Sequence, residues 1–175
     1  MNKKMIVYYM KFNCNKTQKK RLCKNGVAIL AKNDHHIEGK ITLKETSLGL
    51  TINYEVKGLS DGLHGFHIHE YGDLSDGCKS ACSHFNPYNK KHGGLHSKER
   101  HAGDLGNIES KNNLAKGSFV VKGICLTKNM KTSVLGRMFI LHDKEDDLGQ
   151  GGDEESLKTG NAGERLACGV IGIKK

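Results

Sequence analysis

The chain has 175 residues and a formal net charge of +9, with 28 Lys and Arg against 19 Asp and Glu. This length fits one domain that buries a substantial core without staples, and 22 glycines with few helix-favouring runs favour an all-β fold. Eight of the basic residues and no acidic residue fall in residues 1–25, which leaves residues 26–175 at only +1. The high charge therefore describes an extension and does not indicate a nucleic-acid-binding body.

We expect the basic extension, residues 1–25, to be disordered, because a polar, basic segment cannot bury enough apolar surface to order itself. A role in binding a polyanion or a membrane surface is the alternative. The apolar run over residues 5–10 is too short to span a bilayer, and it ends at Lys11 with no small-residue cleavage site after it. It is a poor signal peptide, and we expect a cytoplasmic protein.

Strands are predicted along the rest of the chain, residues 26–175. Every second residue from Leu48 to Val56 is apolar except for the aromatic Tyr54, which is the pattern of a half-buried strand, and residues 37–43 show it too. Further strands are predicted over residues 27–31, 63–69, 105–109, 114–121, 137–142 and 166–173. About eight strands separated by turn signals favour a β-sandwich or barrel.

Two intervals, residues 70–103 and 143–165, are long, Gly-rich and polar. Long irregular segments in a compact domain are usually functional or disordered. The first interval contains four histidines, and the second begins beside His142 with the acidic run DKEDD. We therefore predict that both intervals are functional loops.

Metal binding is indicated by the spacing of histidines. His67 and His69 lie at i and i+2 of a predicted strand and so share one face, while Phe66 and Ile68 point to the other. Taken alone, such a pair is more often an exposed pair than a metal site. The pair gains weight because further histidines and one acid lie on a neighbouring predicted strand and in the long loop: His84, His92, His101, Asp104 and His142.

The chemistry of these donors narrows the choice of metal. A set of nitrogen donors alone suits copper or zinc, and a His-rich set with one carboxylate suits zinc. The remaining histidines are not part of this group of candidate donors, and we assign them to surface or structural hydrogen bonding: His35, His36, His64 and His96.

Several motifs together resemble one known family. They are GLHGFHIHEYGD at 62–73, the pair Gly77–Cys78, HFNP at 84–87, KHGG at 91–94, RHAGDLGN at 100–107 and EESLKTGNAGERLACGVIGI at 154–173. The chain resembles the copper/zinc superoxide dismutases through residues 26–175, most strongly over 62–108 and 135–173 and weakly over 110–134. Residues 1–25 lie outside the resemblance.

The resemblance implies an eight-stranded Greek-key β-sandwich or barrel with two long functional loops. It also implies an antioxidant enzyme that converts superoxide to oxygen and hydrogen peroxide by redox cycling of copper, with a structural zinc. The implied copper ligands are His67, His69, His84 and His142, and the implied zinc ligands are His84, His92, His101 and Asp104. His84 would then bridge the two metals, and Asp146 would link His67 to His92 behind the ligands.

Other roles follow from the same resemblance. Arg165 would orient the superoxide anion beside copper, and the channel mouth would be shaped by Glu154, Glu155, Lys158 and Thr159. Cys78 and Cys168 would form a disulfide within the subunit. The resemblance further implies a homodimer through Tyr71–Gly72, Leu135 and residues 171–173, with a copper chaperone as a partner for metal loading.

Four cysteines have no role in this scheme: Cys14, Cys23, Cys82 and Cys125. Cys82 lies four residues from Cys78 and two from His84, and the family usually has no thiol there. We expect an inert buried thiol, with competition for the disulfide or for metal as the alternative. A metal-binding protein without turnover is the rival function, although Arg165 and the charged loop favour an enzyme.

Overall fold

The computed structural model describes residues 25–31 and 35–175. The predicted disorder of the basic extension lies outside the described residues, except at Asn25, which opens the first strand. The strands are β1 (Asn25–Leu30), β2 (Glu38–Thr46), β3 (Gly49–Lys57), β4 (Gly62–His69), β5 (Asp104–Ser110), β6 (Leu114–Val121), β7 (Met138–His142), β8 (Arg165–Val170) and β9 (Gly172–Lys174). A short 3-10 helix (Lys79–Ala81) and one helical turn, α1 (Ser156–Thr159), lie in the loops.

The strands form two antiparallel sheets. One has the order β6-β3-β2-β1-β9 and the other the order β5-β4-β7-β8. The chain crosses from the first sheet to the second after β3, returns after β5, crosses again after β6 and returns after β8. The predicted all-β architecture is confirmed, with the core between the two sheets.

Alternation decides which side chains reach this core. In β3, Leu50, Ile52 and Val56 are fully buried, whereas Leu48 lies in the turn before the strand and is 70% exposed. On the core face of the second sheet, Phe66 of β4 stacks on Phe139 of the neighbouring strand β7, with ring centroids 5.0 Å apart. Such large apolar side chains contribute about 1.5–3 kcal/mol each when fully buried, which makes β4 and β7 a rigid base.

Nine strands are present among the described residues because the segment predicted as one strand over 166–173 is interrupted. β8 pairs with β7 and ends at Val170, whereas β9 begins at Gly172 and pairs with β1. Ile171 between them is buried, and its N–H donates to the carbonyl oxygen of Arg137 at 2.8 Å. The end of the chain thereby joins both sheets.

The β4 strand is buried on both faces. Phe66 and Ile68 enter the core, as predicted, while His67 and His69 project to the outside of the sheet and are nevertheless at most 1% exposed. Their cover comes from the two long loops, residues 70–103 and 143–164. The histidines therefore occupy a second interior between the sheet and its loops.

Two features fasten the first loop to the sheet. The disulfide between Cys78 and Cys168 is formed, as the resemblance implies, and it closes a separation of 90 residues. Closure of such a loop stabilises the folded state by at most about 4–5 kcal/mol in the chain-entropy description. Gly103 donates to Phe85 O and accepts from Ile68 N, both at 2.9 Å, and a Cβ on Gly103 would overlap Ile68 O.

Within the part of the chain that the structure describes, no helix is long and apolar enough to cross a membrane.

Candidate metal centre

The donor side chains come from four parts of the fold. β4 supplies His67 and His69, the end of β7 supplies His142, and the start of β5 supplies Asp104. The loop over residues 70–103 supplies the rest: His84, His92 and His101. All seven are buried, with at most 6% of each residue exposed.

Four imidazoles form the first donor group: His67, His69, His84 and His142. One ring nitrogen from each lies within 4.8 Å of the others, and the rings of His67 and His84 have centroids 4.1 Å apart. Four nitrogen donors of this kind suit copper or zinc, and the family resemblance assigns this set to copper.

The second donor group joins His84 to His92, His101 and Asp104. Asp104 Oδ1 lies 2.8 Å from His84 Nδ1 and 3.1 Å from the Nδ1 atoms of both His92 and His101. The other carboxylate oxygen accepts from the backbone N–H of His101 at 2.7 Å and of Gly93 at 3.1 Å, which fixes the carboxylate plane. Three imidazoles and one carboxylate are a donor set that suits zinc.

His84 belongs to both groups. Its Nδ1 faces Asp104 Oδ1, while its Nε2 is buried and has no hydrogen-bond partner within the described residues. A single ring that presents one nitrogen to each group can bind two ions at once. The geometry is therefore that of a bridging ligand.

Unpaired nitrogens are the clearest sign that these groups are built for cations. Among the residues that the structure describes, the buried side-chain nitrogen and oxygen atoms that lack a hydrogen-bond partner all belong to the two groups: His67 Nδ1, His69 Nε2, His84 Nε2, His92 Nδ1 and His142 Nε2. Of these, His92 Nδ1 lies 3.1 Å from Asp104 Oδ1 as an ion pair without hydrogen-bond geometry. An unpaired polar atom in the interior costs about 1–3 kcal/mol, and the native state of most proteins avoids it. Bound metal ions would satisfy these five atoms, so the residues fit the two metals.

Asp146 lies behind the two groups and connects them. Its Oδ2 accepts from His67 Nε2 and its Oδ1 from His92 Nε2, both at 2.8 Å. Asn107 anchors the same residue through hydrogen bonds to its backbone N–H and C=O at 2.7 and 2.8 Å. A donor engaged at Nε2 leaves Nδ1 free for a metal, and so Asp146 sets the tautomer of both rings.

Gly160 makes room for this arrangement. A Cβ there would overlap Asp146 Oδ1 and come within 2.5 Å of His92 Nε2, and its φ of +69° is in the left-handed region that favours glycine. Any larger residue would separate the carboxylate from the imidazole.

Backbone carbonyl groups orient two further rings. His69 Nδ1 donates to Cys82 O at 2.8 Å, and His142 Nδ1 donates to Gly163 O at 3.1 Å. In both rings Nε2 is left facing the first group. His64, which we assigned to structural hydrogen bonding, lies 2.9 Å from His142 O through Nδ1 and 3.0 Å from Ser60 O through Nε2.

Burial keeps the imidazoles of the first group neutral. Desolvation lowers the pKa of His67 and of His142 to about 4 and that of His84 to about 3. Neutral imidazole is the form that binds metal ions. The site is thus prepared for cations at neutral pH.

His92 behaves in the opposite way. Burial opposes its charged form, but the carboxylates of Asp104 and Asp146 outweigh that effect and raise the pKa of His92 to about 9. Burial likewise opposes the ionised carboxylates, yet the surrounding imidazoles hold the pKa of both well below its usual range. The charged side chains of the cluster are therefore His92, Asp104 and Asp146, on the zinc side, whereas the first group is neutral.

A cleft of about 690 Å³ leads from solvent to the first group, and Arg165 lies on its wall. Arg165 Nη1 donates to Cys78 O at 2.7 Å and to Lys79 O at 3.0 Å, and Nη2 donates to Cys82 O. These bonds hold the guanidinium beside the copper-type donors. They also tie it to the loop that the disulfide fastens.

Three of the four residues predicted at the mouth of the channel lie in the cleft, and one does not. Glu155, Lys158 and Thr159 line the cleft, whereas Glu154 is not among the lining residues and lies 3.3 Å from Lys158 in an exposed ion pair. Three lysines that the sequence analysis did not single out also line it: Lys90, Lys91 and Lys144. Two of these lysines, Lys90 and Lys91, directly precede His92, and this could have suggested that they lie near the site. Only the fold shows which lysines face the cleft.

Cys82 is exposed, so the expectation of a buried thiol was wrong. The residue ends the 3-10 helix with φ 62° and ψ −147°, a conformation favoured by glycine. In this conformation its carbonyl oxygen accepts hydrogen bonds from both His69 and Arg165. The backbone therefore faces the site and the thiol points away from the core.

Comparisons with known proteins agree with the geometry. Residues 37–171 match the family described as copper/zinc superoxide dismutase (SODC). The chain is 49% identical over 138 residues to Cu-Zn superoxide dismutase A of Xenopus laevis, an alignment that covers 78% of this chain and 90% of that protein. It is 48% identical over 151 residues to the Cu-Zn superoxide dismutase of Paramecium bursaria Chlorella virus 1, and this alignment covers 85% of this chain and 80% of that protein. A crystal structure of the clock protein EA4 is similar with a TM-score of 0.82 and 41% identity, covering 87% of this chain and 96% of that one.

Replacing the linking carboxylate tests its role in orienting the ligands. Because Asp146→Asn keeps the shape but can no longer accept from both Nε2 atoms, we expect zinc affinity to fall about 10–100-fold, the usual effect of losing such a partner. Competition titration with a chelator measures this. Asp61→Asn, an exposed carboxylate near Asn113, is the control, and equal affinities in Asp146→Asn and the unchanged protein would contradict the assignment.

Acid should destabilise the metal-free protein in a defined window. The pKa of His67, His84 and His142 is lowered from 6.5 to about 4, 3 and 4 in the folded state, so between pH 6.5 and 4 the unfolded chain binds more protons. Each group then removes about 1.4 kcal/mol of stability per pH unit as the pH falls. His92, whose pKa is raised to about 9, adds no slope below pH 6.5.

Urea unfolding of the metal-free protein at pH 7 and pH 5 measures this slope. His142→Gln should reduce it by about one proton, whereas His96→Gln, at an exposed position, should leave it unchanged. A stability that does not change between pH 7 and pH 5 would show that these rings are not held neutral.

Proposed function

The chain belongs to the copper/zinc superoxide dismutase family and converts superoxide to oxygen and hydrogen peroxide, and we propose the role of each residue in this reaction. The observation that carries the assignment is the set of five buried, unpaired ring nitrogens in two donor groups that share one imidazole. His67, His69, His84 and His142 hold copper; His84, His92, His101 and Asp104 hold zinc.

Copper, when bound, supplies the one-electron redox change that dismutation needs, and zinc, which has no redox chemistry, contributes charge and structure. Two superoxide anions and two protons give one oxygen and one hydrogen peroxide. His84 Nε2 lies in the buried space between the two groups and can hold one of these protons when no metal occupies it. The bridging ring is thus placed to move a proton where an electron is transferred.

Substrate capture depends on charge, because superoxide is a small anion with few features to recognise by shape. Arg165 presents a planar set of N–H donors at the inner wall of the cleft. Lys90, Lys91, Lys144 and Lys158 add positive charge along the approach, against Glu155 as the acid of the lining. A low-dielectric cleft lined by one sign of charge raises association rates by about 10–1000-fold.

We also propose that two copies pair through an apolar surface at the end of the chain. Ile173 is 78% exposed and Tyr71 is 52% exposed. The two positions are close, because Gly72 packs against Gly136 O, and Gly136 N–H donates to Ile171 O at 2.9 Å. Ile171 itself lies in the core and is not available for such a contact.

Exposed aromatic and aliphatic side chains of this kind are typical of a homodimer interface. Residence in the cytoplasm and copper delivery by a chaperone stay predictions from the sequence.

The function is tested by metal analysis and superoxide decay on the purified protein. We expect about one copper and one zinc per chain with fast decay that slows as ionic strength rises, since salt screens steering. In Arg165→Ala the rate constant kcat/KM should fall about tenfold or more while the copper content is unchanged.

Lys111→Ala removes an exposed lysine that pairs with Glu109 away from the cleft, and it should leave the rate unchanged. Zinc alone with no superoxide decay would favour a binding protein without turnover. An Arg165→Ala rate equal to that of the unchanged protein would contradict the role of the guanidinium.

The dimer is tested by placing a charge on its proposed surface. Ile173→Lys should shift the protein from dimer to monomer in sedimentation equilibrium, because an unpaired charge would be buried at the contact. Leu48→Lys, at a residue that is 70% exposed in the turn before β3, is the matched control and should remain dimeric. A monomeric unchanged protein would overturn the proposal.

A further inference from the structure

Arg137 lies immediately before β7 and makes contacts that the reaction, as assigned above, does not use. Its guanidinium carbon is 3.5 Å from the centroid of the Phe85 ring. Nη1 donates to Glu70 O at 2.6 Å, and Nε donates to Ser133 O at 2.8 Å. None of the ion pairs in residues 25–31 and 35–175 includes Arg137, so its charge is directed to a ring face and to backbone oxygens.

The strand register explains why Arg137 reaches these groups. Met138 of β7 pairs with His69 of β4. Arg137 therefore lies at the end of that pairing, where the chain leaves β4 at Glu70. The position follows from the sheet and not from a flexible loop.

The two contacts of Arg137 lie next to two copper-type ligands. Glu70 follows His69, and Phe85 follows His84. These short segments run side by side: His69 and His84 form an isolated antiparallel bridge, and Phe85 N–H donates to Ile68 O at 2.8 Å. The guanidinium of Arg137 thus contacts both segments, in each case at the residue that follows the histidine.

The rings of His69 and His84 have centroids 4.8 Å apart, and each presents a buried, unpaired Nε2 to the same group. Phe85 is 2% exposed and packs in the core, so its ring transmits the position of the guanidinium to the backbone that carries His84. A cation over an aromatic face is most favourable when both are shielded from water. Loss of the clamp would let the two segments separate.

We propose that Arg137 is a positioning residue that clamps the Glu70 and Phe85 segments together and thereby sets the distance between the copper donors His69 and His84. The inference rests on the proposed function, because it concerns the same donor group. Three of the four zinc donors, His92, His101 and Asp104, make no hydrogen bond or ion pair with Arg137, and their positions depend on Asp146 and on the backbone of Gly93 and His101. The effect should therefore be larger for copper, which uses both His69 and His84, than for zinc, which shares only His84 with the clamped pair.

Arg137→Gln is the first test. The amide retains a donor for Glu70 O but removes the cation from the face of Phe85, and we expect copper(II) affinity to fall about tenfold or more, with zinc affinity changed less than threefold. Competition titrations measure both affinities, and the copper(II) electron paramagnetic resonance spectrum should change because the donor geometry changes. Arg137→Lys, which keeps a cation near the ring, should recover part of the copper affinity.

Lys131→Gln is the matched control. Lys131 lies over the ring of Tyr88 at 4.7 Å, so its loss removes another cation from an aromatic face on the same loop without touching the clamp. It should leave both affinities and the spectrum unchanged. If Arg137→Gln does not fold, Phe85→Leu removes the other half of the contact and should give the same selective loss.

A fall in thermal stability with the two metal affinities unchanged would overturn the clamp, and so would an equal fall in both affinities, since either result describes a merely structural residue. A wild-type protein that binds no copper would overturn the proposed function itself, and the inference with it. A wild type with copper and activity but no selective loss in Arg137→Gln would overturn the clamp alone.

Discussion

The structure depends on one constraint, which is that five imidazole nitrogens are buried with no hydrogen-bond partner among the described residues. At about 1–3 kcal/mol for each unpaired atom, they together oppose folding by an amount comparable to the whole net stability of a domain, about 5–15 kcal/mol. Rigidity in the rest of the fold keeps these nitrogens in place, and a bound cation would satisfy them. The stacked pair Phe66 and Phe139 and the disulfide of Cys78 with Cys168 supply that rigidity on either side of the histidines.

Sequence patterns predicted the rigid half of the site because strand periodicity is local. The two-residue period of β4 was enough to place Phe66 in the core and His67 opposite to it. The ligands in the loop were another matter, since spacing alone left His92 and His101 as candidates, and only the likeness to a family assigned them. Local patterns did not predict the break between β8 and β9 at Ile171 either. The break depends on pairing with distant strands, because β8 joins β7 in one sheet and β9 joins β1 in the other. The lysines that line the cleft were missed for the same reason.

The net charge of the whole chain does not describe the charge around the cleft. The value of +9 comes almost entirely from residues 1–25, which lie outside the family resemblance, and the body is close to neutral. Within that body, the fold gathers Lys90, Lys144 and Arg165 around one cleft. Attraction of a small anion follows from this local arrangement, because charges more than about 8–10 Å away are screened at physiological salt.

Cys82 shows how the demands of the site take precedence over local preference. Its carbonyl oxygen orients His69 and holds Arg165, and that orientation requires a backbone conformation with φ 62° that a residue with a Cβ adopts only at a cost of about 1–3 kcal/mol. The hydrogen bonds come from the backbone, so they place no requirement on the side chain beyond that cost. The contacts of the loop, and not the preference of the residue itself, therefore determine the conformation, and the exposed thiol takes no part in these hydrogen bonds.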